Sequence, residues 1–507
     1  MSIISQQQAR PGRAREIGLL ILALVISFGA WTLVNIGVDQ SALFTRQFLI
    51  FAGTMCAIAL LGHLLIRHFA PWADPIVFPI AVLLNGIGLA MIHRIDFTLI
   101  ANGGSAQVNG QLLLSGVGIV LMIATVIILR DHRKLRRYTY LSLILGIILL
   151  ILPLAPVIGR EVYGARLWIS VAGFSFQPAE LAKICFVIFF AGYLVVQRDN
   201  LALAGKKVLG IQFPQLRHFL PIMVAWVVCL GVLAFENDFG TALLFFGLFV
   251  AMLYVATERI SWIIIGGLLS VVGGYGIVKV VPHVGARFTV WLHALDQDVY
   301  DAQGGSYQVV QGLFGMASGG LFGTGWGKGF SGSTFAANSD FIIASLGEEI
   351  GLTGVLALLC IYLVLVFRAF STGIHLRDGF GKLMACGFGF TIALQSFVVV
   401  GGITRVIPLT GLAMPFLALG GSALLANWII IGILLRMSDD ARRPFREPSK
   451  PLATIDTDEL ERVVGSDASN KDENPATGST DSQPATSNER KGHESGPDSH
   501  PTEVVKL

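Results

Sequence analysis

The sequence predicts an all-α polytopic membrane protein of about 12 transmembrane helices, and three observations carry that prediction. Charged residues make up only 14% of the 507 while hydrophobic residues make up 54%, against about 25% charged in an ordinary soluble chain. The charges are also unevenly placed. Of 36 Lys and Arg and 33 Asp and Glu, 24 fall in residues 437–507, leaving 45 for the first 436 positions. Finally, apolar runs of roughly 20 residues, the length that crosses a bilayer, recur along those 436 residues. So few charges cannot cover a water-facing surface, which excludes a soluble globular enzyme.

Taken in order, the runs are 17–37, 48–66, 76–93, 111–129, 139–158, 176–196, 217–235, 240–256, 261–281, 341–367, 382–402 and 411–435. The first follows Arg10, Arg13 and Arg15 as a secretory signal would, but it exceeds the usual apolar core of about 7–15 residues and lacks a clear cleavage site. It is expected to stay as a span. Basic residues orient the rest. Arg130, Arg133, Lys134, Arg136 and Arg137 lie between spans four and five. Arg198, Lys206 and Lys207 lie between six and seven, and Arg368, Arg377 and Lys382 between ten and eleven. Arg436, Arg442 and Arg443 follow the last. All share one side if both termini are cytoplasmic. Residues 38–47, 94–110, 159–175, 282–340 and 403–410 then face outward.

Three regions are expected: a cytoplasmic N-terminus with the first two helices (1–75), the remaining spans (76–436) with a large outer loop (282–340), and a disordered cytoplasmic tail (437–507). The loop is too long for a simple connection, and long loops on rigid scaffolds tend to carry function. The tail is poor in large apolar residues and cannot bury enough surface to fold. Cys56, Cys185, Cys229, Cys360 and Cys386 all sit in apolar runs and read as small core residues, not as a disulfide framework. No dense basic face for nucleic acid is present. Two loop histidines, His283 and His293, lack a cysteine partner for a metal.

Polar residues inside apolar spans mark functional candidates. Glu180 and Lys183 are three apart at the start of span six, so they share a face and can pair. Such a pair either lines a cavity or braces the interface. Glu236 and Asp238 flank a short turn where a carboxylate can cap span eight. In span ten, Glu348 and Glu349 need a cation partner or a wet cavity, and at least one is expected to face inward. Arg166 offers a planar fork of donors suited to phosphate, and Trp168 beside it suits the lipid interface.

Five blocks in order resemble the SEDS family, which includes RodA and FtsW. They are Gly164-Ala165-Arg166-Leu167-Trp168 with Phe176-Gln177-Pro178-Ala179-Glu180-Leu181-Ala182-Lys183; Asp238-Phe239-Gly240-Thr241-Ala242; Tyr307-Gln308 through Ser318-Gly319-Gly320-Leu321-Phe322-Gly323; Asp340-Phe341-Ile342 with Gly347-Glu348-Glu349-Ile350-Gly351; and Pro408-Leu409-Thr410-Gly411 with Pro415-Phe416 and Gly420-Gly421-Ser422. Gly325-Trp326 is closer to the RodA-like branch. The family pattern is ten spans, which makes the first two here an addition. Glu236-Asn237 stand where the family has Gln-Pro, Asn338-Ser339 where it has His-Thr, Val399 where it has Asn, and Ala418-Leu419 where it has Ser-Tyr.

The resemblance implies a membrane glycosyltransferase that polymerises peptidoglycan from lipid II. In that reaction a sugar 4-hydroxyl attacks the anomeric carbon of a second lipid-linked glycan, and undecaprenyl pyrophosphate leaves. The leaving group is already a stable anion and needs cations; the hydroxyl needs a base. The resemblance puts the catalytic Asp six residues before Tyr307-Gln308, at Asp301, with Asp298 and Asp296 as the other registers. Arg166, Trp168, Glu180, Lys183, Arg287, Tyr307, Gln308, Lys328 and Glu348 are the implied substrate contacts. No cofactor is implied beyond a possible divalent cation with the pyrophosphate. The implied partner is a class B penicillin-binding protein, a transpeptidase. A lipid II flippase and a non-catalytic scaffold are the competing readings, and a division role in place of elongation is the alternative within the family.

Overall fold

The computed structural model describes residues 13–444 apart from 39–43, 157, 163–164, 172–173, 203–206, 209–210, 213–215, 331 and 333. Tyr163, Gly164, Lys206 and the tail from residue 445 therefore lie outside the described residues.

The long apolar runs form helices because each satisfies its own backbone hydrogen bonds, the requirement in hydrocarbon. These are α1 (Arg13–Val38), α2 (Arg46–Phe69), α3 (Val77–Ala101), α4 (Val108–Ile128), α5 (Thr139–Ile151), α6 (Ala179–Ala202), α7 (Leu216–Phe235), α8 (Phe239–Thr257), α9 (Ser261–Val280), α13 (Ile342–His375), α14 (Gly379–Ile403) and α15 (Gly421–Arg442). Eleven stretches among the described residues are long and apolar enough to cross a membrane. The remaining expected span, 217–235, coincides with the 20-residue helix α7. The chain is a multi-pass membrane protein. Helices α3, α6 and α15 are the most enclosed and α9 the least.

Polar caps start several helices. Thr45 accepts the N–H of Phe48, Asp238 that of Thr241, and Asp378 that of Gly381. Small residues let backbones approach. A Cβ on Gly88 would sit 2.5 Å from the Leu417 carbonyl oxygen, and one on Gly432 would sit 2.8 Å from that of Met122.

Four expectations change. Segment 159–176 is not a bare loop: β1 (Gly159–Val162), β2 (Ala165–Val171) and β3 (Phe174–Phe176) form an antiparallel sheet, pairing Arg160 with Trp168 and Ile169 with Phe176. The 282–340 segment is helical over about half its length, as α10 (Pro282–Leu292), α11 (Gln297–Asp301) and α12 (Tyr307–Gly319). The last span begins at Gly421, not 411. Residues 409–420 stay irregular because neighbouring side chains satisfy their backbone: Gln111 donates to Ala418 O, Gln395 to Ala413 O, Tyr362 to Pro415 O and Arg287 to Thr410 O. Finally, α15 runs through Arg442, so residues 437–442, assigned to the tail from composition, are helical. Asp439 there accepts the Trp72 N–H at 2.7 Å and pairs with Arg436 and Arg443.

The ends of the bundle differ chemically. At one end Asp74 joins Arg368 and Arg442, and buried His132 bridges Asp378 (2.8 Å) and Asp440 (3.0 Å). The other end carries the sheet, α10–α12 and the irregular 409–420 segment.

Helix α1, an addition by the sequence reading, is built into the core. Trp31 stacks between Phe51 (4.2 Å) and His93 (3.9 Å), and the Asn35 side-chain oxygen lies 3.0 Å from His93 Nε2. At its far end Gly37 abuts the glycine-rich loop: a Cβ there would lie 2.1 Å from the Trp326 carbonyl oxygen, whereas one on Gly29 meets nothing within 4 Å. Gly37→Ala should therefore destabilise the protein by about 1–3 kcal/mol through overpacking, and Gly29→Ala should leave it unchanged or slightly more stable. Thermal unfolding of the two variants in detergent checks this; equal melting temperatures would sink it.

Candidate active site

Two layers of polar groups converge at the end that carries α10–α12. The inner layer is charged, with Glu180, Lys183, Glu236 and Asp238 buried and Arg287 and Asp340 half-buried. Lys183, in the second turn of α6, is 2% exposed; its Nζ lies 2.5 Å from Glu180 Oε2 and 3.2 Å from Gln395 Oε1. The i, i+3 spacing puts acid and amine on one face, and α14 supplies the amide that completes the lysine's surroundings. Glu236 and Asp238 form the α7–α8 corner, where Asn237 takes a left-handed φ of 62°. The Arg166 N–H bonds the Glu236 carbonyl at 3.3 Å and so ties the sheet to this corner. From α10, Arg287 donates through Nη1 to the carbonyls of Leu409 (3.4 Å) and Thr410 (3.2 Å). Its charge acts on both Asp238 and Asp340.

Four carboxylates thus meet two cations in a poorly solvated place, and their protonation follows. Burial pushes Glu236 up to about 9, with the Asp238 charge adding to the effect. Burial also raises Asp238, against the Thr241 hydrogen bonds and Arg287. Asp340 is raised by burial to about 6, with Arg287 opposing. Glu236 is therefore a neutral acid near pH 7, and the formal excess of negative charge shrinks.

The outer layer is exposed. Asp296 precedes α11 and lies 3.1 Å from His293 Nδ1; Asp298 is exposed on its first turn. Asp301 ends the helix and accepts one hydrogen bond, from Gln297 Nε2 at 2.7 Å. Helix α11 is fastened to α12: Gln311 donates to the Tyr300 hydroxyl, Tyr300 and Tyr307 rings lie 5.3 Å apart, and Gln308 donates to Phe335 O. Arg166 is exposed beside Glu161 (3.1 Å), Trp168 is half-buried opposite Arg160, and Lys328 is exposed.

Glu348 and Glu349 stand apart from both layers. Both are buried, and they hold the glycine-rich loop: Glu348 Oε1 accepts the Phe330 N–H (2.6 Å) and Glu349 Oε2 that of Gly327 (2.9 Å). Arg94 of α3 is the cation that the double glutamate requires. Its Nε lies 2.8 Å from Glu349 Oε1 and its Nη2 donates to Gly329 O. Among the described residues, the one group with metal-like spacing, Asp131, His132 and Asp440, lies at the opposite end, with both His132 nitrogens engaged by carboxylates.

A family model described as "Cell cycle protein", covering FtsW, RodA and SpoVE, matches residues 75–443. The chain belongs to this family. It is 42% identical over 462 residues to the peptidoglycan glycosyltransferase RodA of Mycobacterium tuberculosis (strain H37Rv), covering 89% of this chain and 96% of that protein. RodA of Mycobacterium leprae is also 42% identical, over 458 residues. The probable peptidoglycan glycosyltransferase FtsW of Trichlorobacter lovleyi is 31% identical over 370 residues, 72% of this chain and 93% of the other. The RodA-like branch is thereby supported. A solved structure described as "Structural coordination of polymerization and crosslinking by a peptidoglycan synthase complex" shares the fold, with a TM-score of 0.57 at 21% identity over 73% of this chain and 99% of that one. Helices α1 and α2 precede the matched segment.

Within this FtsW/RodA/SpoVE member, sequence reasoning missed the Arg94–Glu349 pair and the grouping of Asp238, Arg287 and Asp340. The first signal was present, since paired intramembrane acids demand a cation and Arg94 follows a span. The second joins positions about 50 residues apart, and no periodicity reports it.

The Glu236 environment sets a pH dependence. Its folded value of about 9 lies above its ordinary 4.5. Between these limits the unfolded chain has released a proton that the folded chain keeps, so stability falls as pH rises. Glu236→Gln removes this loss. It should match the parent near about pH 5 and unfold at a progressively higher temperature than the parent toward about pH 9. Parallel melting curves across that range refute the assignment.

Proposed function

We propose that this protein polymerises lipid II into glycan strands at the outer face of the cytoplasmic membrane during cell elongation. As a peptidoglycan glycosyltransferase of the RodA branch, it joins a sugar 4-hydroxyl to an anomeric carbon and releases undecaprenyl pyrophosphate. The observation that carries the chemistry is a division among its charges: the carboxylates of α11 are exposed, Glu180, Lys183, Glu236 and Asp238 are buried, and Arg287 is half-buried.

Asp301 is the base. As the hydroxyl oxygen forms its bond to the anomeric carbon, the proton passes to the Asp301 carboxylate. The bond from that carbon to the diphosphate oxygen breaks, and the electron pair leaves with the diphosphate. Such a leaving group needs positive charge and no general acid. Arg166, Lys328 and Arg287 supply it at increasing depth, and Lys183 with Glu180 fixes the floor. Trp168, Tyr307 and Gln308 contact sugar or lipid. Glu348 acts by holding the glycine-rich loop in position.

The end bearing Arg130, Arg133, Lys134, Arg136 and Arg137 faces the cytoplasm by the charge rule, with both termini on that side. A class B penicillin-binding protein, which crosslinks the strands, is the partner. This accords with the shared fold of the synthase complex.

Asp301→Asn should lower strand formation from purified lipid II by about 10²-fold or more, the usual weight of a general base, while the detergent-purified variant stays monodisperse. Asp296→Asn and Asp298→Asn should keep most activity. Parental rates in Asp301→Asn would remove the assigned base. Transport of lipid II in sealed vesicles without any strand formation would remove the polymerase reading itself.

A further inference from the structure

At the basic end, a cavity of about 200 Å³ opens between the turn that precedes α5 and the last turns of α6. Its polar lining is Arg136, Arg137, Tyr140, Tyr193 and Gln197, with Thr139 and Val196 beside them. No acid is among the lining residues. Among the described carboxylates, Asp378 and Asp440 bracket His132, and Asp378 also meets Arg133 at 3.4 Å. Among the described residues neither Arg136 nor Arg137 pairs with an acid, and both are exposed. The floor is close-packed. Thr139 turns its hydroxyl onto the Arg136 carbonyl (2.7 Å) and rests on Gly192, where a Cβ would lie 2.0 Å from Thr139 Oγ1.

The surroundings place this cavity at a lipid boundary. It lies at the ends of two candidate spans, His132–Leu154 and Ala179–Arg198. The apolar side chains around its mouth point outward: Tyr140 is 66% exposed, Leu141 57% and Val196 59%. Two guanidinium forks with no acidic partner among the described residues, beside the exposed Tyr140, make a donor-rich recess. Arginine forks match phosphate oxygens in pairs, and phenol and amide groups match headgroup hydroxyls.

We propose that this recess binds the phosphodiester headgroup of an anionic phospholipid. The site is independent of the glycosyl-transfer reaction. The phosphate seats between Arg136 and Arg137, the headgroup hydroxyls reach Tyr140, and the acyl chains run along the outward faces of α5 and α6.

The test uses the full-length protein purified in a neutral detergent. It is titrated with phosphatidylglycerol, with phosphatidylcholine and with inorganic phosphate. Retained lipid is read by native mass spectrometry and stability by thermal unfolding. Phosphatidylglycerol should be retained in preference to phosphatidylcholine and raise the unfolding temperature, while inorganic phosphate should not. Arg136→Gln with Arg137→Gln should lower that retention about tenfold, the scale of one lost charge-assisted hydrogen bond. Because those changes also remove orienting charge, Gln197→Glu provides a second arm. It keeps every basic residue and supplies an internal counter-ion, and it should cause a comparable loss. Lys134→Gln, outside the cavity, should not. Equal retention of the two lipids, parental retention in Gln197→Glu, or an equal loss in Lys134→Gln overturns the site. Stabilisation by inorganic phosphate equal to that by the lipid overturns the lipid and assigns a free anion.

Discussion

A glutamate inside a bilayer must find a cation, and in this protein that demand organises the face where the chemistry is proposed. Glu349 is buried in α13 and meets Arg94 of α3, which also holds the Gly329 carbonyl. The second oxygen of Glu349 and one of Glu348 take the N–H groups of Gly327 and Phe330. One ion pair therefore ties two distant spans and pins a loop that has few side chains of its own to pack. Removing one partner from such a pair strands the other charge at a cost of about 3–5 kcal/mol. The glycines are needed for the same reason. Gly323 and Gly327 adopt φ of 84° and 80°, and a Cβ on Gly323 would lie 2.2 Å from the Glu349 carbonyl oxygen. Only a backbone stripped of side chains can lie that close to the helix carrying the acids.

This dependence explains which parts of the structure were legible in the sequence. The spans were, because hydrocarbon dictates length and composition, and eleven stretches plus α7 fall where the apolar runs predict. The cysteines show the limit of the same logic. All five sit in apolar runs, yet Cys56 and Cys360 are exposed on the bundle surface and Cys229 is buried. Lipid-facing and core-facing positions are both apolar, so composition cannot separate them. Residues 411–420 were read as the start of the last span because they are apolar. They stay irregular around Pro415, with carbonyls of the 409–420 segment taken by Gln111, Gln395, Tyr362 and Arg287. Those partners lie on α4, α14, α13 and α10, and no local pattern reveals them. Motif order brought the site residues to one end of the bundle. It did not reveal that Glu180 and Lys183 would be buried while Arg166 stays exposed.

The charges divide by depth, and the division has chemical meaning. Buried carboxylates lose the contest with water: Glu236 and Asp340 are raised to about 9 and about 6. A group such as Glu236 is a poor acceptor of a substrate proton near pH 7, because it already holds one. The α11 carboxylates stay solvated, and Asp301 has a single amide neighbour from Gln297. A base must be ionised and must be reachable. Asp301 is exposed and reachable, whereas Glu236 is buried and already holds its proton near pH 7. The buried layer acts through dipoles and fixed charge instead. Arg287 is anchored by two carbonyls, which fixes its charge beside Asp238 and Asp340.

Anchoring distinguishes the cations as well. Arg94 and Arg436 bond backbone carbonyls as well as facing acids, and their guanidiniums are spent on structure. Lys328, Arg136 and Arg137 are exposed and make no such bonds among the described residues. Insertion requires basic residues near the cytoplasmic ends of spans but does not specify which fork they form. Two adjacent guanidiniums that line one recess go beyond that requirement, since orientation alone would be served as well by lysines scattered along the turn. Recognition of a planar anion is the property that arginine adds there.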